Sequence, residues 1–211
     1  MLFGKTMGKL FTICEWIMRF AYVNLLWFLF SIAGLIVLGI FPATVALFTI
    51  VRKWILKETD FPIWRTFLTV YRKEFKNSNK LGMLLIFSGA FILFDVFFIR
   101  MIEGTVQFVL IVPLLIITAI YLMITLYIFP IYVHYEFKLM DYVKNALFLS
   151  IFHFHITLLM LISLLAILFL LVYQPGFIPF FSMVSVAWIL MFCGMYSFNR
   201  IGIKQNKISK V

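Results

Sequence analysis

Acidic residues are scarce in this sequence. Only 8 Asp and Glu stand against 18 Lys and Arg in 211 residues, for a formal net charge of +10. Charged residues of both signs make up 12% of the chain, against about 25% in a soluble globular protein. That shortage excludes a water-exposed domain, and with it a soluble surface able to carry nucleic-acid binding. Cysteine is limited to Cys14 and Cys193, both in or beside apolar segments, which excludes a disulfide framework and a spaced zinc motif. The alternation of apolar and polar residues that marks a membrane β-barrel is missing. So are a Gly-rich phosphate loop, a Gly-x-Ser-x-Gly elbow and a His-Glu-x-x-His helix.

What remains is apolar. Hydrophobic residues make up 65% of the chain, and the mean hydropathy is +1.12. In hydrocarbon every backbone polar group needs an internal partner, and without barrel alternation only helices supply it. The expected fold is therefore all-α, a polytopic helix bundle forming one membrane domain over residues 1–211. The N-terminal stretch is a poor signal peptide. Its charged region reaches Arg19 and includes Glu15, and the apolar run behind it is too long. No lipid-attachment pattern is expected at either end.

A span needs roughly 20 apolar residues. The hydropathy predicts five spans, at 22–40, 81–99, 105–133, 146–173 and 177–198. Lys and Arg concentrate in 52–80, in 134–145 and in the tail after Phe198, which places those segments in the cytoplasm. Five crossings then put the N-terminus outside, although it carries Lys5, Lys9 and Arg19. The conflict centres on Ala21–Val51, an uncharged run broken late by Gly39 and Pro42. On the favoured reading Pro42 opens a separate helix that leaves the membrane at its inner face. The alternative is a hairpin or re-entrant element folding back near Gly39-Ile40-Phe41-Pro42.

Residues 62–78 form a basic amphipathic segment. Ile63, Trp64, Phe67, Leu68, Tyr71 and Phe75 recur at helical spacing, with Arg65, Arg72, Lys73 and Lys76 on the rest of the surface. Such a helix is expected flat at the inner membrane surface. Trp64, Phe67, Tyr71, Arg72 and Lys73 also form a candidate docking face for a cytoplasmic partner.

"NLLWFL", then "GIFPATVAL", "RKW" and "YRKEFKNSNKLG" resemble the YesL family of bacterial membrane proteins. The matching positions are Asn24, Trp27, Gly39, Pro42, Ala43 and Thr44. The resemblance implies a small polytopic protein of Gram-positive bacteria, often encoded beside carbohydrate ABC-transporter components, with no chemistry attached to those positions. It departs from the family at Ile36-Val37-Leu38, more apolar than the usual Gly-rich or Thr-rich stretch.

Chemistry is sparse. His153 and His155 in "HFH" stand two residues apart, so on a helix they point about 200° from one another and cannot share a metal. His134 and Glu136 repeat that spacing. Glu58, Asp60, Glu74, Glu136 and Asp141 lie near Lys or Arg and read as solvated pairs. No enzyme, cofactor or metal is expected. Gly82, Gly89, Ser185, Cys193 and Ser197 mark close helix approach. Asp95 is the one carboxylate well inside a span, and Asn24 is expected to face it across the first two spans as a small polar layer. The expected role is an accessory or regulatory part of carbohydrate uptake, with the lipid bilayer and permease or ATPase subunits as partners. A small stand-alone transporter or channel is the alternative. Nothing in the sequence sets a homo-oligomeric state.

Overall fold

A computed structural model describes residues 2–208, with side chains described for Lys9 and for 11–198. Seven α-helices and one 3₁₀ turn account for the regular structure of the described residues. They are α1 (Leu2–Ala33), α2 (Val37–Ile55), α3 (Ile63–Arg100), α4 (Thr105–His134), α5 (Leu139–Phe152), α6 (Phe154–Tyr173) and α7 (Ile178–Ile208). All but α5 contain a stretch long and apolar enough to cross a membrane. The chain is an all-α bundle with α2 at its centre, packed against α1, α3, α4 and α7.

The run 21–51 is where structure and expectation part. It holds the end of α1 and most of α2, folded as a hairpin, rather than one span and an exit helix. The chain reverses at Gly34-Leu35-Ile36, earlier than the hairpin alternative placed it, and Leu35 and Ile36 are left-handed at φ 59° and 61°. Two side-chain-bearing residues in that region cost about 1–2 kcal/mol each, so close packing must hold them there. Glycine supplies it. A Cβ on Gly39 would strike the carbonyl oxygens of Ser31 and Phe30, and one on Gly34 would strike the Gly39 Cα. Pro42 lies inside α2 and not at its start. Its ring fits helical φ and forfeits only the bond to the Leu38 carbonyl, which a packed membrane helix tolerates.

The open end of the hairpin gathers its basic residues. Trp16 packs on Trp54 at 5.5 Å, and Arg19 donates to the Thr59 carbonyl at 3.3 Å. Arg19 also pairs with Glu15 at 2.6 Å, and Lys53 with Glu58 at 3.6 Å. α1 and α2 each hold a stretch long and apolar enough to cross; with both crossing, Lys9 and Arg19 share a side with 52–80, and the N-terminal charge conflict disappears. The six-crossing arrangement has a direct test in a background of Cys14→Ser and Cys193→Ala. Phe3→Cys and Asn77→Cys should both resist an impermeant thiol reagent applied outside, while Glu103→Cys should react. Labelling of Phe3→Cys would restore the five-crossing arrangement.

Two further expectations are corrected. The amphipathic segment 62–78 and the span 81–99 are one continuous helix, α3. Its aromatic stripe turns onto the protein's own hairpin, with Phe67 and Tyr71 at 5.2 and 5.0 Å from Phe30. The expected fourth span, 146–173, is interrupted at His153 between α5 and α6. Thr157 Oγ1 donates to the Ser150 carbonyl at 2.9 Å and lies 3.2 Å from the Tyr127 hydroxyl. Side-chain hydroxyls of this kind satisfy carbonyls that a break in a membrane helix exposes. Gly82 and Gly89 of α3 do mark close helix approach. The Gly82 position is filled by the Phe41 ring and the Gly89 position by the Tyr121 hydroxyl, which donates to the Leu85 carbonyl at 3.1 Å.

Candidate functional site

A polar basin of about 980 Å³ lies at the end of the bundle where α2 and α4 finish and α5 begins. Helical spacing builds one wall, since Lys73, Asn77 and Lys80 follow one another at i, i+4 and i+7 along α3. Thr49 and Arg52, one turn nearer the end of α2, form another. The floor comes from Tyr132 to Lys138 and from Tyr142 of α5.

Each polar group there has a definite state. Tyr132 donates to Glu74 Oε2 at 2.7 Å, a short hydrogen bond. Glu74 is thus held by a phenol and, among the described residues, forms no ion pair, in contrast to its reading as one of the solvated pairs. The Arg52 guanidinium donates to the Val133 carbonyl at 3.3 Å, while its Nε is buried without a hydrogen-bond partner. Tyr142 accepts the Phe137 N–H at 3.0 Å and donates to the Tyr135 carbonyl at 3.1 Å. That pins the chain between α4 and α5, where the Tyr135 and Phe137 rings stack at 5.3 Å. Burial raises the Tyr135 phenol above its ordinary pKa, so it stays neutral. Among the described residues, the ion pairs formed are Arg19–Glu15 and Lys53–Glu58. Arg52, Lys73, Lys80 and Lys138 therefore line the basin without a carboxylate partner.

The matching positions of the hairpin form a second, purely internal constellation. Asn24 is fully buried. Its Nδ2 donates to the Pro179 carbonyl at 2.8 Å and lies 3.3 Å from that of Ile178 and 3.4 Å from Ser182 Oγ. Its Oδ1 accepts the Val184 N–H at 3.0 Å. Trp27 donates to Thr44 Oγ1 at 3.1 Å, tying α1 to α2, and Thr44 donates to the Ile40 carbonyl at 2.7 Å. Gly39, Pro42 and Ala43 are buried beside them.

The expected Asn24–Asp95 layer does not form. Asn24 spends both ends of its amide on α7, and Asp95 is half-buried on α3 with no described partner. The reason is packing: α1 lies chiefly against α2 and α7, and the start of α7 offers the buried amide both carbonyl acceptors and an N–H donor. Of the candidate docking face, Phe67 and Tyr71 are buried, while Trp64, Arg72 and Lys73 are exposed. His153 sits at the α5–α6 break and His155 on α6. Among the described residues no three His, Cys, Asp or Glu side chains converge as metal ligands. The basin itself escaped the sequence reading because Glu74 and Tyr132 are 58 residues apart. The cluster of Tyr and Lys after Pro130 was its one visible sign.

Residues 20–96 match the model of a protein family described as "Protein of unknown function, DUF624". The chain is 40% identical over 183 residues to the Bacillus subtilis (strain 168) protein YteU, covering 87% of this chain and 82% of YteU. To YesL of the same organism it is 33% identical over 194 residues, covering 92% and 91%. This chain belongs to the YesL-like DUF624 family. A third relative, YesV, is 32% identical over 192 residues, and all three are described as uncharacterized. No solved structure matches the chain. The matched segment of the family runs from Phe20 through α2 and most of α3. It includes Asn24, the hairpin and the basin's lysine-bearing wall.

Proposed function

We propose that this chain is a non-enzymatic, multi-pass component of the bacterial cell membrane that assists or regulates carbohydrate uptake. It does so by docking a permease or ATPase subunit of an ABC-type transporter on its basic cytoplasmic end. The observation that carries the reading is the concentration of exposed cations at one end of the bundle. Arg72 and Lys76 flank the basin on the outer surface of α3 while the aromatic stripe of the same helix is spent inside. The uptake context is what the resemblance to the YesL family implies, since such proteins are often encoded beside carbohydrate ABC-transporter components.

Affinity purification from native membranes in a mild uncharged detergent is the test. A permease or ATPase subunit should co-purify in stoichiometric amount. Exposed charges are worth up to about 1 kcal/mol each, so Arg72→Gln with Lys76→Gln should reduce that retention roughly tenfold. A chain that elutes alone, and that by itself carries substrate flux in liposomes, would replace this reading with a stand-alone transporter.

A further inference from the structure

We infer that the basin between α2, α3 and α4 is a binding site for a phosphate ester of a small polyol, either a free phosphomonoester or the headgroup of an anionic phospholipid. The inference rests on the reading of this end of the bundle as cytoplasmic, but not on the presence of a protein partner.

Four features point to that chemistry. The first is uncompensated charge. Arg52, Lys73, Lys80 and Lys138 line the cavity, and none is ion-paired within the described residues. The second is the state of the acidic residues. Glu74 is the nearest carboxylate on the same helical wall, and its Oε2 is held by the Tyr132 hydroxyl at 2.7 Å. Glu136, the other carboxylate of the lining, is exposed. Four cations against two carboxylates leave a surplus of two charges, which matches the roughly −1.5 to −2 of a free phosphomonoester at neutral pH and exceeds the charge of a phosphodiester headgroup.

The third feature is donor geometry. A guanidinium offers a planar fork for two phosphate oxygens, whereas lysines act as adjustable point charges. Arg52 is the half-buried member, anchored by its bond to the Val133 carbonyl, and the lysines ring it on exposed positions. The fourth is size. A cavity of about 980 Å³ falls at the upper end of ordinary small-ligand sites, roughly 300–1,000 Å³. It has room for an organic body beyond the phosphate, against Thr49, Asn77 and the aromatic rings at its floor. A polynucleotide would expose most of its length outside such an enclosure. Position favours an ester available at the membrane surface, because basic pockets at the cytoplasmic ends of membrane helices suit phosphate headgroups.

The test uses the full chain, purified without partners in uncharged detergent at low salt. Calorimetric titration with glycerol 1-phosphate, with glycerol as the uncharged control, reads the free-ester arm. Nanodiscs of phosphatidylcholine with and without phosphatidylglycerol, read by thermal shift, supply the lipid arm. Lys73→Gln with Lys80→Gln removes two exposed side chains that no described bond requires, so folding is preserved. Arg52→Gln is the complementary variant, checked for its elution profile because it also loses the Val133 bond.

Binding of glycerol 1-phosphate that weakens about tenfold in the lysine pair, and less than twofold in Arg65→Gln, supports the free ester. A phosphatidylglycerol-dependent thermal shift lost in the same pair supports the lipid headgroup. If neither probe binds, or if Arg65→Gln weakens binding as much as the lysine pair, the inference is overturned. Partner retention is measured separately with Arg72→Gln and Lys76→Gln, which lie outside the basin, so the two proposals fail independently.

Discussion

Asn24→Leu should lower the stability of the purified protein by about 2–3 kcal/mol, seen as a melting temperature roughly 5–10 °C lower in detergent. The asparagine is fully buried and bonds in both directions to one stretch of α7, from Ile178 to Val184. Leucine matches its volume approximately but leaves the Val184 N–H and the Pro179 carbonyl without this partner. Interhelical polar contacts in membranes average well under 2 kcal/mol. The larger value here comes from losing a donor and an acceptor at once. Asn24→Asp should be worse than leucine at pH 8. It retains the acceptor facing Val184 but turns a second oxygen toward the Ile178 and Pro179 carbonyls, where the amide nitrogen now sits at 3.3 and 2.8 Å. Intrinsic fluorescence melts would show it, since Trp16 and Trp188 pack together at this α1–α7 contact at 6.1 Å. A leucine variant melting within a degree of the parent would mean that α7 starts correctly without Asn24.

Gly39→Val should prevent recovery of folded protein. The new Cβ would meet the carbonyl oxygens of Ser31 and Phe30, which are backbone and have no rotamer to change. The hairpin must open instead. Opening it withdraws the Phe30 carbonyl from the Tyr71 hydroxyl, now at 3.1 Å, and separates Trp27 from Thr44. It also removes the packing that keeps Leu35 and Ile36 left-handed. Overpacking a close contact costs about 1–3 kcal/mol. With the lost bonds and the released turn added, the total exceeds the typical margin for a single substitution. Gly39→Ala should give an intermediate loss. Gly176→Ala, in open space within the turn before α7, is the control and should change stability by less than about 0.5 kcal/mol. Fluorescence-detected size exclusion followed by melting would separate the three. A well-behaved Gly39→Val would show that the helices do not need to approach so closely.

Both predictions concern positions already singled out from the sequence, Asn24 as a match to a family and as the expected partner of Asp95, Gly39 as a family match and as a break in the run 21–51. In the structure they have a common purpose. Asn24, Trp27, Gly39 and Thr44 fasten α1 to its two neighbours, α2 and α7. The physical role the structure gives them is architecture around the buried helix α2. The basin lies nearby on the matched segment but draws its floor from α4 and α5.

Composition and hydropathy by themselves determined the class of this protein. Few charges and long apolar runs admit only a helical membrane bundle, and α4 and the start of α7 were legible almost to their ends because transfer from water depends on each residue's own surface. The 3.6-residue period of 62–78 was equally plain. Hydropathy sums cannot register where a chain turns inside an apolar run, so the favoured reading merged the end of α1 with the start of α2, and the hairpin alternative set the reversal near Gly39–Pro42 instead of at Gly34–Ile36. Periodicity marks which side of a helix is apolar without naming what covers it, and Phe67 and Tyr71 found Phe30 rather than lipid. The partner of Asn24 was a set of backbone groups more than 150 residues away. Tertiary structure alone decided that pairing, and the meeting of Glu74 with Tyr132 as well. Hydrogen bonds are directional and short, and only the packed fold brings a donor and an acceptor from distant segments within reach of each other.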